Sequence, residues 1–448
     1  SNPDISEEVI DCVRATGQSL LAIGVINHKM PFMPNGAEVS PGLFDVILTD
    51  PAATHDLFAP PNNKVGAADY AIGLHASSLV ADGGTLQIGI GSLGDAIGQA
   101  LIVRDRHGVQ YKNILESLCP QGVAGRELGR FDIGLYGCSE MFVNGFLRLI
   151  EAGIIRREVY DDVVLQQLLN SGKIADESVT PATLRALLDA GRIRSPLAND
   201  DLSFLKRFGI LRPEVELNGQ QLTFEDKHCG NDLLDDASFE CVSTHMLGSR
   251  LTHGVFMTGG FFLGPRDFYE RLRTMPAQEL AKIDMTRIDF INQLYGNDAL
   301  KRAQRRKARF MNTTMVVTLL GAAASDALES GQVVSGVGGQ YNFVAMSHAL
   351  ADARLIMMLR ATHDNKDGLK SSIVWNYGHV TIPRHLRDVV ITEYGIAELR
   401  GQSDSEVVKR LISVADSRFQ DDLVKQAKAH GKLEADYQVP ECYRHNLP

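Results

Sequence analysis

Asp82-Gly83-Gly84-Thr85-Leu86-Gln87-Ile88-Gly89-Ile90-Gly91-Ser92-Leu93-Gly94 opens the regular part of this chain. Asp82-Gly83-Gly84 makes a turn, 85–90 reads as an apolar strand, and a G-x-G-x-x-G loop hands the chain to a helix from Asp95. A helical pattern at 67–81 precedes it. Outward from this unit, strands are expected at 132–136, 255–262, 314–319, 353–359, 372–375 and 388–392. Helices are expected between them at 141–152, 267–274, 343–352 and 406–422. Strands alternating with helices predict an α/β fold with an open, mostly parallel sheet flanked by helices.

Two regions depart from that rhythm. Residues 1–64, with a helix at 5–16, a strand at 20–26 and a Pro-rich stretch, read as the tail of a domain. Residues 156–245 are charged and turn-rich, with a helix at 181–190, and read as an insertion. No internal repeat is evident. The basic run at 301–309 reads as a solvated helix face.

The 448 residues are 44% hydrophobic and 22% charged, an ordinary soluble globular composition. A formal charge of −10 argues against a nucleic-acid or anionic-membrane partner. No apolar run approaches the ~18 residues of a membrane span, and no signal peptide opens the chain. The six cysteines are spread without a Cys-x-x-Cys pair and read as reduced thiols of a cytoplasmic protein. His228-Cys229 lacks further ligands at metal spacing, so no metal is assigned.

Two motifs carry chemistry. Gly134-Leu135-Tyr136-Gly137-Cys138-Ser139-Glu140-Met141 delivers a carboxylate off the end of the 131–136 strand into the first turn of a helix. Glu140 there serves either the helix dipole, with Ser139 as N-cap, or chemistry at the carboxyl end of a strand. Ser335-Gly336-Val337-Gly338-Gly339-Gln340-Tyr341-Asn342-Phe343 is a glycine loop whose N–H groups can converge on an oxygen. A nucleophilic carboxylate with such a loop suggests acyl transfer through a covalent glutamyl intermediate. The Gly89–Gly94 pattern suits a dinucleotide, a loop shaping another active site, or close packing. Glu116, after 111–115, is a poor match for the acidic residue a dinucleotide fold needs.

These segments together resemble the acetyl-CoA hydrolase/transferase family, a branch of the class I CoA-transferases that act on acetate, succinate, butyrate and 4-hydroxybutyrate. The resemblance rests on five stretches in order. They are Ile26-Asn27-His28-Lys29-Met30-Pro31, the 82–91 segment, Cys138-Ser139-Glu140-Met141, Ser335-Gly336-Val337-Gly338-Gly339-Gln340, and Thr392-Glu393-Tyr394-Gly395 with Leu399-Arg400-Gly401. It spans roughly 20–155 and 250–425.

The resemblance implies a NagB/RpiA-like CoA-transferase domain over 65–448, carrying the insertion and preceded at 1–64 by the remnant of a second such domain. It implies that Glu140 is the nucleophile and that Gly338 and Gly339 contact the thioester oxygen. Gln87, Gly89 and Gly91 would border the acyl and pantetheine channel, and Gly336, Val337, Gln340 and Asn342 would complete the substrate contacts. Coenzyme A enters as substrate, with no permanently bound cofactor. Acyl-CoA and short carboxylic acids are the expected partners, and a homodimer the expected assembly. Two departures stand out: Gln340-Tyr341-Asn342-Phe343 replaces Gln-x-Asp-Phe, and Cys138 replaces a histidine. The mostly missing first domain and the end at Asn446-Leu447-Pro448 lead to the expectation of a fragment of a longer polypeptide. Transferase, acyl-CoA hydrolase and silent CoA-binding module all remain open at this point.

Overall fold

The computed structural model describes residues 4–61, 64–119, 122–366 and 368–447. Ser1–Arg157, Met257–Gly296 and Arg305–Pro448 form one compact unit; Glu158–Phe256 and Asn297–Gln304 form another.

The first unit is built on an eight-stranded sheet. In chain order its strands are β1 (Thr85–Ile88), β2 (Tyr136–Val143), β3 (Met257–Leu263), β4 (Ile283–Met285), β5 (Arg309–Thr313), β6 (Arg354–Met358), β7 (Val389–Thr392) and β8 (Gly395–Glu398). The spatial order is β8-β7-β6-β5-β1-β2-β3-β4, parallel throughout except for the antiparallel β7–β8 hairpin. The expected open, mostly parallel sheet is therefore present. The chain grows from β1 outward through β4, then returns to β5 on the other side of β1. That reversal creates a crevice beyond the carboxyl ends of β1 and β5, where open α/β sheets bind ligands.

β1 is buried at all four positions, as a central parallel strand covered on both faces must be. Two boundaries expected from sequence move. The expected strand at 132–136 and helix from 141 are instead β2, running to Val143, and the helix Asn144–Glu151. Ser139 is thus a strand residue, its Oγ donating to the Ile88 carbonyl at 3.2 Å, and not an N-cap. The 111–115 segment lies in the helix Gly108–Leu118, because Tyr111 and Leu115 sit one turn apart on a single buried face.

The basic run at 301–309 is not a solvated face. Arg305 is fully buried, donating from Nη1 to the Ile291 carbonyl at 3.0 Å and from Nη2 to the Phe290 carbonyl at 2.6 Å. Arg306 donates to the Gly83 carbonyl at 3.1 Å, and Arg309 to the Leu79 carbonyl at 2.6 Å. Arg309 itself opens β5. The expected 314–319 strand shrinks to Val316–Thr318, in a separate small sheet. The single expected helix at 406–422 is two, Asp404–Ser413 and Ser417–Ala429, because Asp416 caps the second. Ile23–Val25 and Val46–Leu48 pair as a two-stranded parallel sheet with no fully buried residue.

The second unit has its own core, including Leu165, Leu184, Leu187, Leu205 and Leu222. Helices Val163–Asn170, Pro181–Asp189 and Asn199–Arg207 are followed in turn by Gly172, Gly191 and Gly209, all at positive φ. A repeated helix–glycine unit is therefore present, although none is evident in the sequence. The copies share only a leucine pair and a C′ glycine in the left-handed conformation, too few identities to register as a repeat. A three-stranded antiparallel sheet and the helix Asp236–His245 complete it. Cys229 and Cys241 form a disulfide there, which corrects the reading of six reduced thiols. Their Cα atoms, 5.7 Å apart, are close because one sits in the strand Lys227–Gly230 and the other on the helix packed beside it. No described helix is long and apolar enough to cross a membrane.

Candidate active site

β1 stops at Ile88, while β2 continues past that level alongside β3. Glu140 is the first β2 residue beyond the Ser139–Ile88 hydrogen bond, so its half-buried side chain stands where β1 has ended. That is the crevice defined by the strand order. Two elements far apart in sequence meet the carboxylate, and a third lines a cavity at the ends of the neighbouring strands.

The first is the glycine loop. A methyl group at Gly339 would collide with Glu140 Oε2, and one at Gly338 would lie 3.6 Å from Oε1. Gly338 is also at φ +57°, where a side chain is strained. The loop backbone thus packs directly against the carboxylate, an approach only glycine permits. The loop is tied to the sheet by Gln340, whose Nε2 donates to the Thr313 carbonyl at the end of β5 at 2.7 Å.

The second is Asn292, which sequence reasoning missed. It follows the short helix Ile288–Ile291 and donates from Nδ2 to Glu140 Oε2 at 3.0 Å. It is only 7% exposed, so this hydrogen bond to a charged partner is shielded from water. Its Oδ1 has no donor among the described residues, and neither does Gln340 Oε1. No motif flags Asn292, a lone asparagine separated from Glu140 by 152 positions. Arg305 supports it from behind: the carbonyls of Phe290 and Ile291 accept from its guanidinium, which also contacts Met346 on the helix Gln340–Ala349.

The third is the loop after β1. Gly89, Gly91 and Ser92 line a cavity of about 500 Å³ together with Val143, Asn144 and Gly264, at the carboxyl ends of β1, β2 and β3. A methyl group at Gly94 would collide with the Gly89 carbonyl, so part of the G-x-G-x-x-G pattern is close packing at the start of the helix Ser92–Arg106. Asp69, fully buried on the helix Ala67–Ser77, accepts from Arg360 Nε at 2.8 Å and from the Gly66 N–H at 3.0 Å. Burial pushes its carboxyl up, but Arg360, the Gly66 amide and Ser92 outweigh that and hold it below the usual range. In the same cavity burial raises the Asp95 carboxyl, with the Arg148 charge working against it.

The remaining expected site residues sit further out. Gln87 is buried within β1, its Oε1 accepting from Asn312 Nδ2 on β5 at 3.3 Å, which makes it a cross-strand partner. Gly336 and Val337 are exposed, and Asn342 is half-buried in the first turn of its helix. Among the described residues no group of three or more His, Cys, Asp or Glu side chains could hold a metal ion.

Residues 264–427 match the model of the acetyl-CoA hydrolase/transferase C-terminal domain. The chain is 21% identical over 415 residues to a 4-hydroxybutyrate coenzyme A transferase of Clostridium kluyveri, covering 92% of this chain and 66% of that protein. It is 29% identical over 171 residues to a probable butyrate:acetyl-CoA coenzyme A-transferase of Syntrophomonas wolfei, covering 38% of this chain and 36% of that one. The fold is that of RipA from Yersinia pestis, with TM-score 0.55, 20% identity, and coverage of 92% of this chain and 63% of that one. The chain thus spans under two-thirds of the length of these relatives. With residues 264–427 matched by that C-terminal domain and 92% of the chain aligned to a CoA-transferase, the chain resembles the acetyl-CoA hydrolase/transferase family.

Proposed function

We propose that the chain catalyses acyl-CoA:carboxylate CoA transfer on a short-chain acyl-CoA, acetyl-CoA or similar, through a glutamyl-CoA thioester on Glu140. The observation that carries this reading is the Glu140 carboxylate packed against Gly338-Gly339 and hydrogen-bonded by Asn292. The related CoA-transferases support it.

A carboxylate oxygen of Glu140 attacks the acyl-CoA carbonyl carbon, the C–S bond breaks, and an acyl-glutamyl anhydride and CoA thiolate result. The thiolate attacks the Glu140 side-chain carbonyl carbon, the anhydride C–O bond breaks, and the first acid leaves as its carboxylate. A second carboxylate reverses these steps. This is ping-pong covalent catalysis, and no proton moves in it. The amides of Gly338 and Gly339, with Asn292 Nδ2, are the donors for the oxyanions that develop, an effect of about 3–4 kcal/mol per donor in comparable sites. Gly89 and Gly91 border the channel for the acyl and pantetheine groups. Gln87 and Gln340 hold the strands and loop that shape it, and Gly336, Val337 and Asn342 form its outer rim.

Acyl-CoA hydrolysis on the same carboxylate is the second reading. It is favoured by the exposure of Gly336 and Val337, which leaves the loop's outer side open to water. The same proposal includes the 1–64 segment as the remnant of a first CoA-transferase domain. Its parallel strands carry Ile23 and Val25 at about half exposure, apolar surface that parallel sheets bury. The proposal also includes a homodimer and a cytoplasmic location, where acyl-CoA and its acceptor acids meet.

Mass spectrometry after incubation with acetyl-CoA and borohydride, with acetate-dependent CoA exchange assayed in parallel, tests the mechanism. Reduction of Glu140 to its alcohol together with exchange is the expected result. Unmodified Glu140 in a chain that still exchanges CoA overturns it, and steady CoA release without an acceptor acid selects the hydrolase.

A further inference from the structure

Arg305 stands just before β5 and is fully buried, yet among the described residues its hydrogen-bond partners include no carboxylate. Its Nη2 donates to the Phe290 carbonyl and its Nη1 to the Ile291 carbonyl, while Nη1 also lies 3.0 Å from Met346 Sδ. The guanidinium carbon is 5.7 Å from the centroid of the Phe290 ring. Sealing a guanidinium away from water is costly, and an apolar side chain of similar volume often packs as well or better. The charge at this position therefore calls for a reason other than core packing.

Capping explains part of it. The last carbonyls of the helix Ile288–Ile291 have no partner within the helix, and a cation suits that end of the dipole. Capping does not explain the reach to Met346, on the helix Gln340–Ala349 that begins directly after Gly338-Gly339. One side chain thus touches both segments that meet the Glu140 carboxylate. The Ile291 carbonyl belongs to the same planar peptide unit as the Asn292 N–H. That N–H donates to the Ile288 carbonyl at 2.8 Å, so the unit is held at its nitrogen by the helix and at its oxygen by Arg305. Held at both ends, it fixes the position from which the Asn292 side chain reaches Glu140 Oε2. The glycine loop has its own tether, Gln340 on the Thr313 carbonyl, and the Phe343–Phe310 ring pair holds the helix behind it. The freedom that Arg305 removes is that of the 288–292 segment relative to the loop.

We propose that Arg305 is a positioning residue for the candidate site, registering Asn292 against the Gly338-Gly339 loop so that their donors converge on one carboxylate. The inference rests on the reading of Glu140 and Asn292 as parts of a CoA-transfer site. A rigid fork of coplanar donors suits the task, because two successive carbonyls and a sulfur are met at once. A lysine ammonium keeps the charge but, as a compact donor on a flexible stem, does not fix that geometry.

The test compares Arg305→Lys with wild type, alone and in the Asn292→Ala background. Arg305→Met, which removes the charge and its burial cost, serves with the same expected outcomes where the lysine variant does not fold. The side-chain amide signal of Asn292 is read by NMR in the full chain labelled with nitrogen-15 asparagine, and assigned by its loss in Asn292→Ala. Arg305→Lys should displace that signal, as Glu140→Gln does, while Asn231 and Asn446 keep theirs. In exchange with acetyl-CoA, Arg305→Lys should lower kcat about tenfold with KM little changed, and by under about twofold once Asn292 is alanine, because the two act as a unit. A wild-type Asn292 signal in Arg305→Lys overturns the proposal. So does a displacement shared by Asn231 and Asn446, which marks a general loosening, or an equal loss of kcat with and without Asn292. Absence of exchange in the wild-type chain counts against the CoA-transfer reading alone, and the amide signal still decides the role of Arg305.

Discussion

Asn292 Nδ2 lies 3.0 Å from Glu140 Oε2, joining a residue at the end of a four-residue helix to one in the middle of a strand. The bond fixes the carboxylate's orientation and points a neutral donor at the oxygen that would carry charge during acyl transfer. Replacing Asn292 with alanine should lower CoA exchange by about 10²-fold or more, the cost of one such donor in comparable sites. Asn292→Asp should be worse, because it sets a second carboxylate against Glu140. Exchange rates, with borohydride labelling of Glu140 as a second readout, check both. Wild-type rates in Asn292→Ala would remove it from the site.

Gly339 offers a steric test of the same geometry. A methyl group there would collide with Glu140 Oε2 and lie 2.7 Å from Asn292 Nδ2. Gly339→Ala should therefore abolish exchange while leaving the chain folded, since the clash is confined to the site. Gly98→Ala is the control: its methyl group would meet only the Gly145 backbone at 3.7 Å, an ordinary contact. In the helix Ser92–Arg106 it should preserve exchange and stabilise by about 0.5–1 kcal/mol.

The sequence made legible what local pattern encodes. The β1–loop–helix unit and the strand β7 are read correctly because glycine placement and apolar runs are local signals, whereas β8, which folds back on β7 as a hairpin, is not expected from the sequence. The start of β2 was misplaced because its apolar residues continue the 131–136 run, and only the register with β3 shows that the strand extends to Val143. Arg305 and Asn292 were illegible for a different reason. Each acts through backbone carbonyls or a carboxylate distant in sequence, and a basic run or a lone asparagine gives no sign of such partners.

The Cys229–Cys241 disulfide closes a short loop between a strand and a helix of the second unit, with a sequence separation of 12. Chain-entropy arguments assign a loop of this size about 2–3 kcal/mol. Reduction should lower the stability of that unit by this order, and Cys229→Ala should remove its sensitivity to reductant. Hydrogen exchange over 158–256, with and without dithiothreitol, measures the change. Identical protection in both conditions would show that the bridge adds nothing.

Acid should expose the helix Ala67–Ser77, which borders the site. His75 on that helix is completely buried, and its Nδ1 lies 3.8 Å from Cys119 Sγ. Burial lowers its pKa from the ordinary 6.5 to about 4; a hydrogen bond with the Glu393 backbone opposes the shift, and the charge of Arg126 adds to it. The folded pKa lies below the unfolded one, so the unfolded chain binds the proton first. His75 then contributes its full stability above pH 6.5 and loses it as pH falls from 6.5 toward 4, by about 3 kcal/mol at the limit. Urea midpoints at pH 7 and pH 4.5 should differ accordingly in wild type. In His75→Phe, which cannot titrate and keeps an aromatic ring in the site, most of that difference should vanish. An unchanged difference in the variant would assign the acid sensitivity to other groups.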